Sequence, residues 1–322
     1  MKIEQEEIAV SIICRTYNHE KYIGQCLNSL VNQKTNFKYE IIVHDDASLD
    51  NTANIVREYE KKYPHLIQPI YQKINQYGKK ITLNLLIPNA RGKYIAFCEG
   101  DDFWSDEKKL QTQYDIMENN SDCSLCTHIV EKTKNDGEPL NEFVAPKNMD
   151  SCKMGAETFF KCFFENNCYP FQTTSYFMRK DIFQTKPDFL YAFAVGDIPI
   201  LLWCILNGNI FYLAKKCSCW RQNVKGSYND RLKSIEYSTK QLSKEYEGWA
   251  AFNTYTEGKY YPYIGVWLNY LKLQYYYIFK KKPFTKQEII ETKKNLPLKL
   301  KIKARIKHSK LYWFYRKLFK KK

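Results

Sequence analysis

The chain has 322 residues, 44% of them hydrophobic, which is enough for one large α/β domain or a domain with an extension. No stretch reads as a membrane span, because the most apolar one, residues 198–214, is interrupted by Pro199 and by Asn207-Gly208-Asn209; the acidic N-terminus lacks the apolar core of a signal peptide. The formal charge of +15 belongs to one end: residues 270–322 carry eighteen Lys and Arg against Glu288 and Glu291, and the near-neutral remainder argues against a nucleic-acid-binding module.

Short apolar runs alternate with amphipathic segments, the βαβα order of a mostly parallel sheet. Val10-Ser11-Ile12-Ile13-Cys14 is the first expected strand. Tyr22, Ile23, Cys26, Leu27, Leu30 and Val31 then recur at helical spacing. Glu40-Ile41-Ile42-Val43-His44 is the second strand and runs into Asp45-Asp46; Ser48 to Thr52 read as a turn and N-cap for a helix reaching about Tyr63. A third strand is expected at 67–71, a helix at 81–87 closed by Pro88-Asn89-Ala90-Arg91-Gly92, a strand at 94–97 and a helix at 108–118. Further strands are expected at 124–130, 175–179 and 210–213. Residues 132–150, polar and containing Gly137, Pro139 and Pro146, read as a loop. Past about Tyr228 the pattern turns to long helices rich in Tyr and Lys, within which residues 298–307 alternate with period two and show no clean helical face.

The eleven cysteines, without a secretion signal, read as free thiols of a reducing compartment. Cys123-x-x-Cys126-x-His128 with Cys217-x-Cys219 is a loosely spaced zinc alternative on expected strands.

The chemistry-bearing feature is Cys98-Glu99-Gly100-Asp101-Asp102-Phe103-Trp104, in which three carboxylates follow a buried strand. Clustered acids resist burial unless a cation or a hydrogen-bonding ligand joins them. Mg²⁺ and Mn²⁺ take oxygen ligands and share them with phosphates, so the cluster points to a divalent-metal site for a phosphorylated substrate. Asp45 and Asp46 end a second strand, and open α/β sheets bind ligands at strand C-terminal ends. Neither Gly-x-Gly-x-x-Gly nor a Gly-Lys-Ser/Thr phosphate loop occurs, so metal and side chains must hold the phosphates.

Taken in order, Val10 to Asn18, Ser29-Leu30-Val31-Asn32-Gln33, Glu40 to Ser48, Gly92-Lys93-Tyr94-Ile95-Ala96 and Glu99-Gly100-Asp101-Asp102 closely resemble family 2 glycosyltransferases. The resemblance implies a GT-A, Rossmann-like fold: a mostly parallel central sheet flanked by helices, with a mainly helical, basic C-terminal extension. It sets a glycosyltransferase domain at 1–228, with a nucleotide-sugar half at about 8–105 and an acceptor half at about 106–228, and an extension at 229–322. It also implies an inverting, metal-dependent transfer of one sugar from a nucleoside-diphosphate donor, UDP for choice, to a hydroxyl of a glycan or lipid-linked glycan.

By the same resemblance, Tyr17 lies against the base and Asp46 accepts hydrogen bonds from it. The donor site draws on Thr16, Tyr17, Asn18, Asp45, Asp46, Glu99, Asp101, Arg221 and Lys225, and Asp101 or Asp102 ligates Mn²⁺ or Mg²⁺. Asp197, opening Ile198-Pro199-Ile200, is the catalytic base; read from the residues alone it is equally a helix N-cap. The Gln-x-x-Arg-Trp signature of polymerising members is missing.

The C-terminal tail mixes Lys and Arg with aromatics at Lys280-Lys281-Lys282, 298–307 and 311–319, which suits an anionic membrane surface. The expected setting is cytoplasmic, peripheral on the inner face of the plasma membrane, in surface polysaccharide assembly, with no nucleic acid as partner. The competing classes are a non-catalytic protein that keeps the nucleotide-sugar crevice, and a basic nucleic-acid-binding module.

Overall fold

The computed structural model describes residues 7–146, 148–165, 171–232, 234–279 and 284–306. Its elements run β1 (Ile8–Thr16), α1 (Ile23–Val31), β2 (Lys38–Asp45), α2 (Thr52–Lys62), β3 (Ile67–Tyr71), a π turn at Thr82–Leu86 leading into α3 (Ile87–Asn89), and β4 (Tyr94–Phe97). There follow β5 (Phe103–Trp104), α4 (Lys109–Glu118), β6 (Cys123–Thr133), β7 (Pro139–Val144), β8 (Cys152–Met154), α5 (Ala156–Glu165), β9 (Phe177–Arg179), α6 (Phe189–Ala192), α7 (Asp197–Asn207) and β10 (Asn209–Arg221). Helices α8 (Tyr228–Arg231), α9 (Ile235–Tyr255), α10 (Tyr261–Phe279), α11 (Lys286–Lys294) and α12 (Leu298–Ile306) complete the chain.

Two compact units emerge. Among the described residues, the first holds those up to Phe163, 171–186 and Ile200–Val224; the second holds Phe164, Glu165, Pro187–Pro199 and those from Lys225 onward.

The first unit is built on one sheet of strand order β3-β2-β1-β4-β9-β6-β10-β5, with β7 and β8 at its margins. The β3-β2-β1-β4 half is parallel, as buried βαβ strands require. β9 enters antiparallel between β4 and β6, and β10 runs parallel to β6. The core behind the parallel half gathers Val10, Ile12, Cys14, Leu27, Ile41, Val43, Ala96 and Cys98, all fully buried. At the far end of these strands the buried Glu40 carboxylate accepts from Ser11 Oγ (2.6 Å) and from the Arg91 backbone N–H (2.8 Å), tying β1, β2 and the entry to β4 together.

The polar stretch 132–150 is not simply a loop. Pro139–Val144 returns antiparallel to β6, pairing Glu131 with Phe143 and Lys132 with Glu142. Half-exposed edge strands can be polar on both faces, which hides them from a pattern search.

In the second unit, α9 packs on α6 through Phe252 against Phe189 and on α10 through Tyr246 against Tyr275, while Phe193, just after α6, meets Trp249. Gly248 is required there, since a Cβ would lie 2.4 Å from the Phe193 ring. Tyr270, Leu273, Ile289, Leu296 and Ala304 form a second small core. Residues 298–306 are helical despite their period-two sequence, because Leu300 and Ala304, four apart, both turn onto that core. Lys280-Lys281-Lys282 and residues 307–322, which include the tail's Tyr-Trp-Phe-Tyr run, lie outside the described residues.

Candidate active site

The register of the parallel half brings the sequence-marked loops together. Thr16 pairs with Asp45 and Ile13 with Phe97, so β1, β2 and β4 end side by side. Three further backbone bonds carry the ladder into the loops: Asp46 N–H to Thr16 O (3.0 Å), Cys98 N–H to Ile13 O (3.1 Å) and Gly100 N–H to Arg15 O (2.8 Å). The Tyr17-Asn18-His19 turn therefore sits between the Asp45–Ser48 loop and the Glu99–Asp102 loop.

Asn18 is held in the left-handed region (φ 56°), a conformation asparagine tolerates. Its backbone N–H donates to Ser48 Oγ (2.9 Å), and its side-chain oxygen accepts from Leu49 N–H (2.7 Å). Ala47 is also left-handed (φ 62°), a strain of about 1 kcal/mol held in place by the surrounding bonds. Asp45 is buried and accepts from the Ser48 N–H (3.2 Å), which makes it a brace for the loop. Asp46 is half-buried, and its Oδ1 accepts from the Gln76 N–H (2.6 Å). The Tyr17 ring stands 39% exposed beside them.

The three acids of the Glu99–Asp102 loop fall into three different environments. Glu99 pairs with the Arg15 guanidinium, which also donates to Thr82 Oγ1 (3.0 Å). Asp102 is buried and accepts from the Arg221 backbone N–H (3.0 Å). Burial first, and the Asp101 charge second, push its carboxyl well above the usual carboxylate range. Asp101 remains partly open, with Oδ2 3.9 Å from His19 Nε2.

His19 was not singled out by the sequence. Its N–H donates to Thr52 Oγ1 (2.8 Å), and its carbonyl accepts from Tyr22 and Ile23 at the start of α1 (both 2.9 Å). The residue is thus fixed as a helix-entry turn whose side chain meets the acidic loop. The signal available in the sequence was its position directly after Tyr17-Asn18.

Arg221 reaches the same loop because β10 pairs antiparallel with β5, Cys219 opposite Phe103. Its guanidinium donates to the Asp101 carbonyl (2.6 Å) and to Gln25 Oε1, and lies over the Phe103 ring at 4.7 Å. The side chain is buried. Lys225 is exposed and belongs, with Asp197, to the second unit. Asp197 opens α7, and its Oδ1 accepts from the Ile198 N–H (2.9 Å).

The donor chemistry fits a divalent ion at one point. Thr16 Oγ1 and His19 Nδ1 are buried with no hydrogen-bond partner among the described residues. Both face Gly100, where an added Cβ would come within 2.7 Å of Thr16 Oγ1 and 3.0 Å of His19 Nδ1; the other ring nitrogen, Nε2, is the one offered towards Asp101. The Asp101–His19 gap of 3.9 Å is too long for a hydrogen bond. Two ligands at about 2.1 Å from one ion stand roughly 3–4 Å apart, so a shared cation suits it. Among the described residues no three His, Cys, Asp or Glu side chains cluster tightly enough to hold a metal unaided. An ion here would complete its shell with phosphate oxygens and water, the usual habit of Mg²⁺.

Known proteins resemble this chain in sequence and in fold. The model of glycosyl transferase family 2 matches residues 11–185. The poly(ribitol-phosphate) beta-glucosyltransferase of Bacillus spizizenii is 38% identical over 117 residues, covering 36% of this chain and 18% of that protein. S. aureus TarS 1–349, solved in complex with UDP-GlcNAc, superposes with TM-score 0.56 at 16% identity over 97% of this chain and 92% of that one. The mannosyltransferase PcManGT from Pyrobaculum calidifontis, solved with GDP-Man and Mn²⁺, gives TM-score 0.52 at 14% identity, covering 99% and 89%. The chain spans well under two thirds of the first curated relatives it matches. With the family model covering more than half its length, the chain belongs to glycosyl transferase family 2 and has the GT-A fold.

Proposed function

We propose that this protein is an inverting, metal-dependent glycosyltransferase. It would move one sugar from a nucleoside-diphosphate donor, UDP for choice, to a hydroxyl of a glycan or lipid-linked glycan in surface polysaccharide assembly. The observation that carries the reading is the meeting of the Tyr17 turn, the Asp46 loop and the Asp101–His19 pair at adjacent strand ends. The Bacillus relative named for glucosyl transfer to poly(ribitol-phosphate) and the neighbour solved with UDP-GlcNAc support the substrate class.

In this reading Tyr17 offers its exposed ring to the base, and Asp46 supplies the polar partner beside it. Asp101 and His19 would hold Mn²⁺ or Mg²⁺, while Asp102, buried and accepting from the Arg221 N–H, braces the loop behind them. When bound, the ion neutralises charge that develops on the departing diphosphate. Arg221 acts as a positioning residue that fixes the Asp101 backbone, and its guanidinium adds positive charge beside the donor site. Arg15 neutralises Glu99 and holds it at the mouth of the loop. Lys225 would add positive charge near the phosphates. Asp197 would take the acceptor proton as the hydroxyl attacks opposite the leaving group, which inverts the anomeric centre.

Sugar transfer by Asp101→Ala and Asp197→Ala tests the assignment. Loss of the base is expected to lower kcat by about 10²–10⁴-fold while donor binding persists. Transfer undiminished in both variants would remove these roles. Tight donor binding without turnover in the unaltered protein would favour a non-catalytic nucleotide-sugar-binding protein.

A further inference from the structure

Helix α12 has two apolar sides, and among the described residues only one of them is covered. Leu300 and Ala304 face the small core formed with Tyr270, Leu273, Ile289 and Leu296. At about 100° per residue, Leu298 and Ile302 fall on the opposite side, one turn apart. They are 70% and 50% exposed. The exposed Arg305 continues the same outer face, and Lys299 and Lys301 lie on its two flanks. The helix carries four basic residues and no acid. Single exposed apolar side chains need no explanation. A Leu–Ile pair at i, i+4 flanked by lysines on an acid-free helix is the pattern of an interfacial helix.

We propose that this outer face of α12 docks on an anionic lipid bilayer. Leu298 and Ile302 enter the headgroup boundary while Lys299, Lys301 and Arg305 meet lipid phosphates. Charge complementarity selects this occupant, because several adjacent cations gain most at an anionic surface. The apolar pair at their centre separates a bilayer from a nucleic acid, which offers phosphates but no apolar boundary. The inference gives a location to the lipid-linked acceptor proposed above. Its test is independent of sugar transfer, so either reading can fail without the other.

The measurement is co-sedimentation of the full chain with phosphatidylcholine vesicles, with and without about 30% phosphatidylglycerol, at near-physiological salt. Binding is expected only to the anionic vesicles and is expected to weaken as salt rises. Leu298→Glu with Ile302→Glu should reduce it by about tenfold or more, and Lys299→Gln with Lys301→Gln by several-fold. Both pairs are on the surface, and an unchanged melting temperature establishes that the fold survives. Equal binding by the glutamate variant, equal affinity for neutral vesicles, or a preference for RNA over anionic vesicles would each overturn the proposal.

Discussion

His19 Nε2 and Asp101 Oδ2 stand 3.9 Å apart, beyond hydrogen-bond range and within reach of one small cation. One residue closes the turn after β1 and the other follows β4, so the pairing exists only because those strands are neighbours. His19→Ala should therefore weaken Mn²⁺ binding in the presence of UDP by about tenfold or more, with little change in melting temperature. Electron paramagnetic resonance titration of free Mn²⁺ reads this directly; an affinity equal to that of the unaltered protein would exclude the imidazole from the site.

Gly100 keeps that pair in place. An alanine Cβ there would meet Thr16 Oγ1 at 2.7 Å, Thr16 Cβ at 2.8 Å and His19 Nδ1 at 3.0 Å. Gly100→Ala is expected to cost about 1–3 kcal/mol by urea unfolding and to abolish donor binding. Gly24→Ala in α1, where nothing lies within 4 Å of the new Cβ, is the control and should be neutral or stabilising by up to about 1 kcal/mol. A tolerated Gly100→Ala with full donor affinity would mean the loop has room that the structure denies it.

Arg221 is expected to matter through the backbone it holds. Arg221→Ala removes the bonds to the Asp101 carbonyl and to Gln25, together with the contact over Phe103, at a cost of roughly 2–4 kcal/mol. Arg221→Lys should recover little, because an ammonium cannot span both acceptors in one plane. Chemical denaturation alongside a nucleotide titration checks both variants. Wild-type stability in Arg221→Ala would contradict the role.

Lys109 is fully buried, donates to Gln113 Oε1 (2.7 Å) and lies 3.7 Å over the Trp104 ring. Burial lowers its ammonium to about 8, below the ordinary lysine value. Between about 8 and the unfolded lysine value the unfolded chain binds the extra proton, so stability attributable to this residue rises with pH across that window. The gain is at most roughly 3 kcal/mol. Lys109→Met removes the titration, so the stability difference between wild type and variant should shift in favour of wild type from pH 7 to pH 10. A difference independent of pH in urea unfolding would show that the amine titrates normally.

The parallel half of the sheet was legible because buried βαβ strands read as unbroken apolar runs, and their acidic ends punctuate them sharply. Asp46 and Asp101 were found this way and Tyr17 through the family resemblance, and the fold places all three at neighbouring strand ends. His19 left no mark, since a turn residue has no periodicity and its partner lies far along the chain. Arg221 was legible as a cation near the loop but not as one turned inward, because the Cys219–Phe103 pairing that buries it is a tertiary fact. Strand β10 was expected to stop near 213. It runs to Arg221 through two register shifts against β6, irregularities that break any alternation. In α12 the Lys–apolar alternation masked a helix that Leu300 and Ala304 secure by packing.

The central claim is that nucleotide-sugar and metal bind together at Asp101. The direct test is the melting temperature of the full chain with nucleotide-sugars, with and without Mn²⁺. A rise of about 2–4 °C or more is expected when donor and metal are both present, much less with either alone, and none in Asp101→Asn. No stabilisation of the unaltered protein by any nucleotide-sugar, with or without metal, would contradict the account, and so would an undiminished rise in Asp101→Asn.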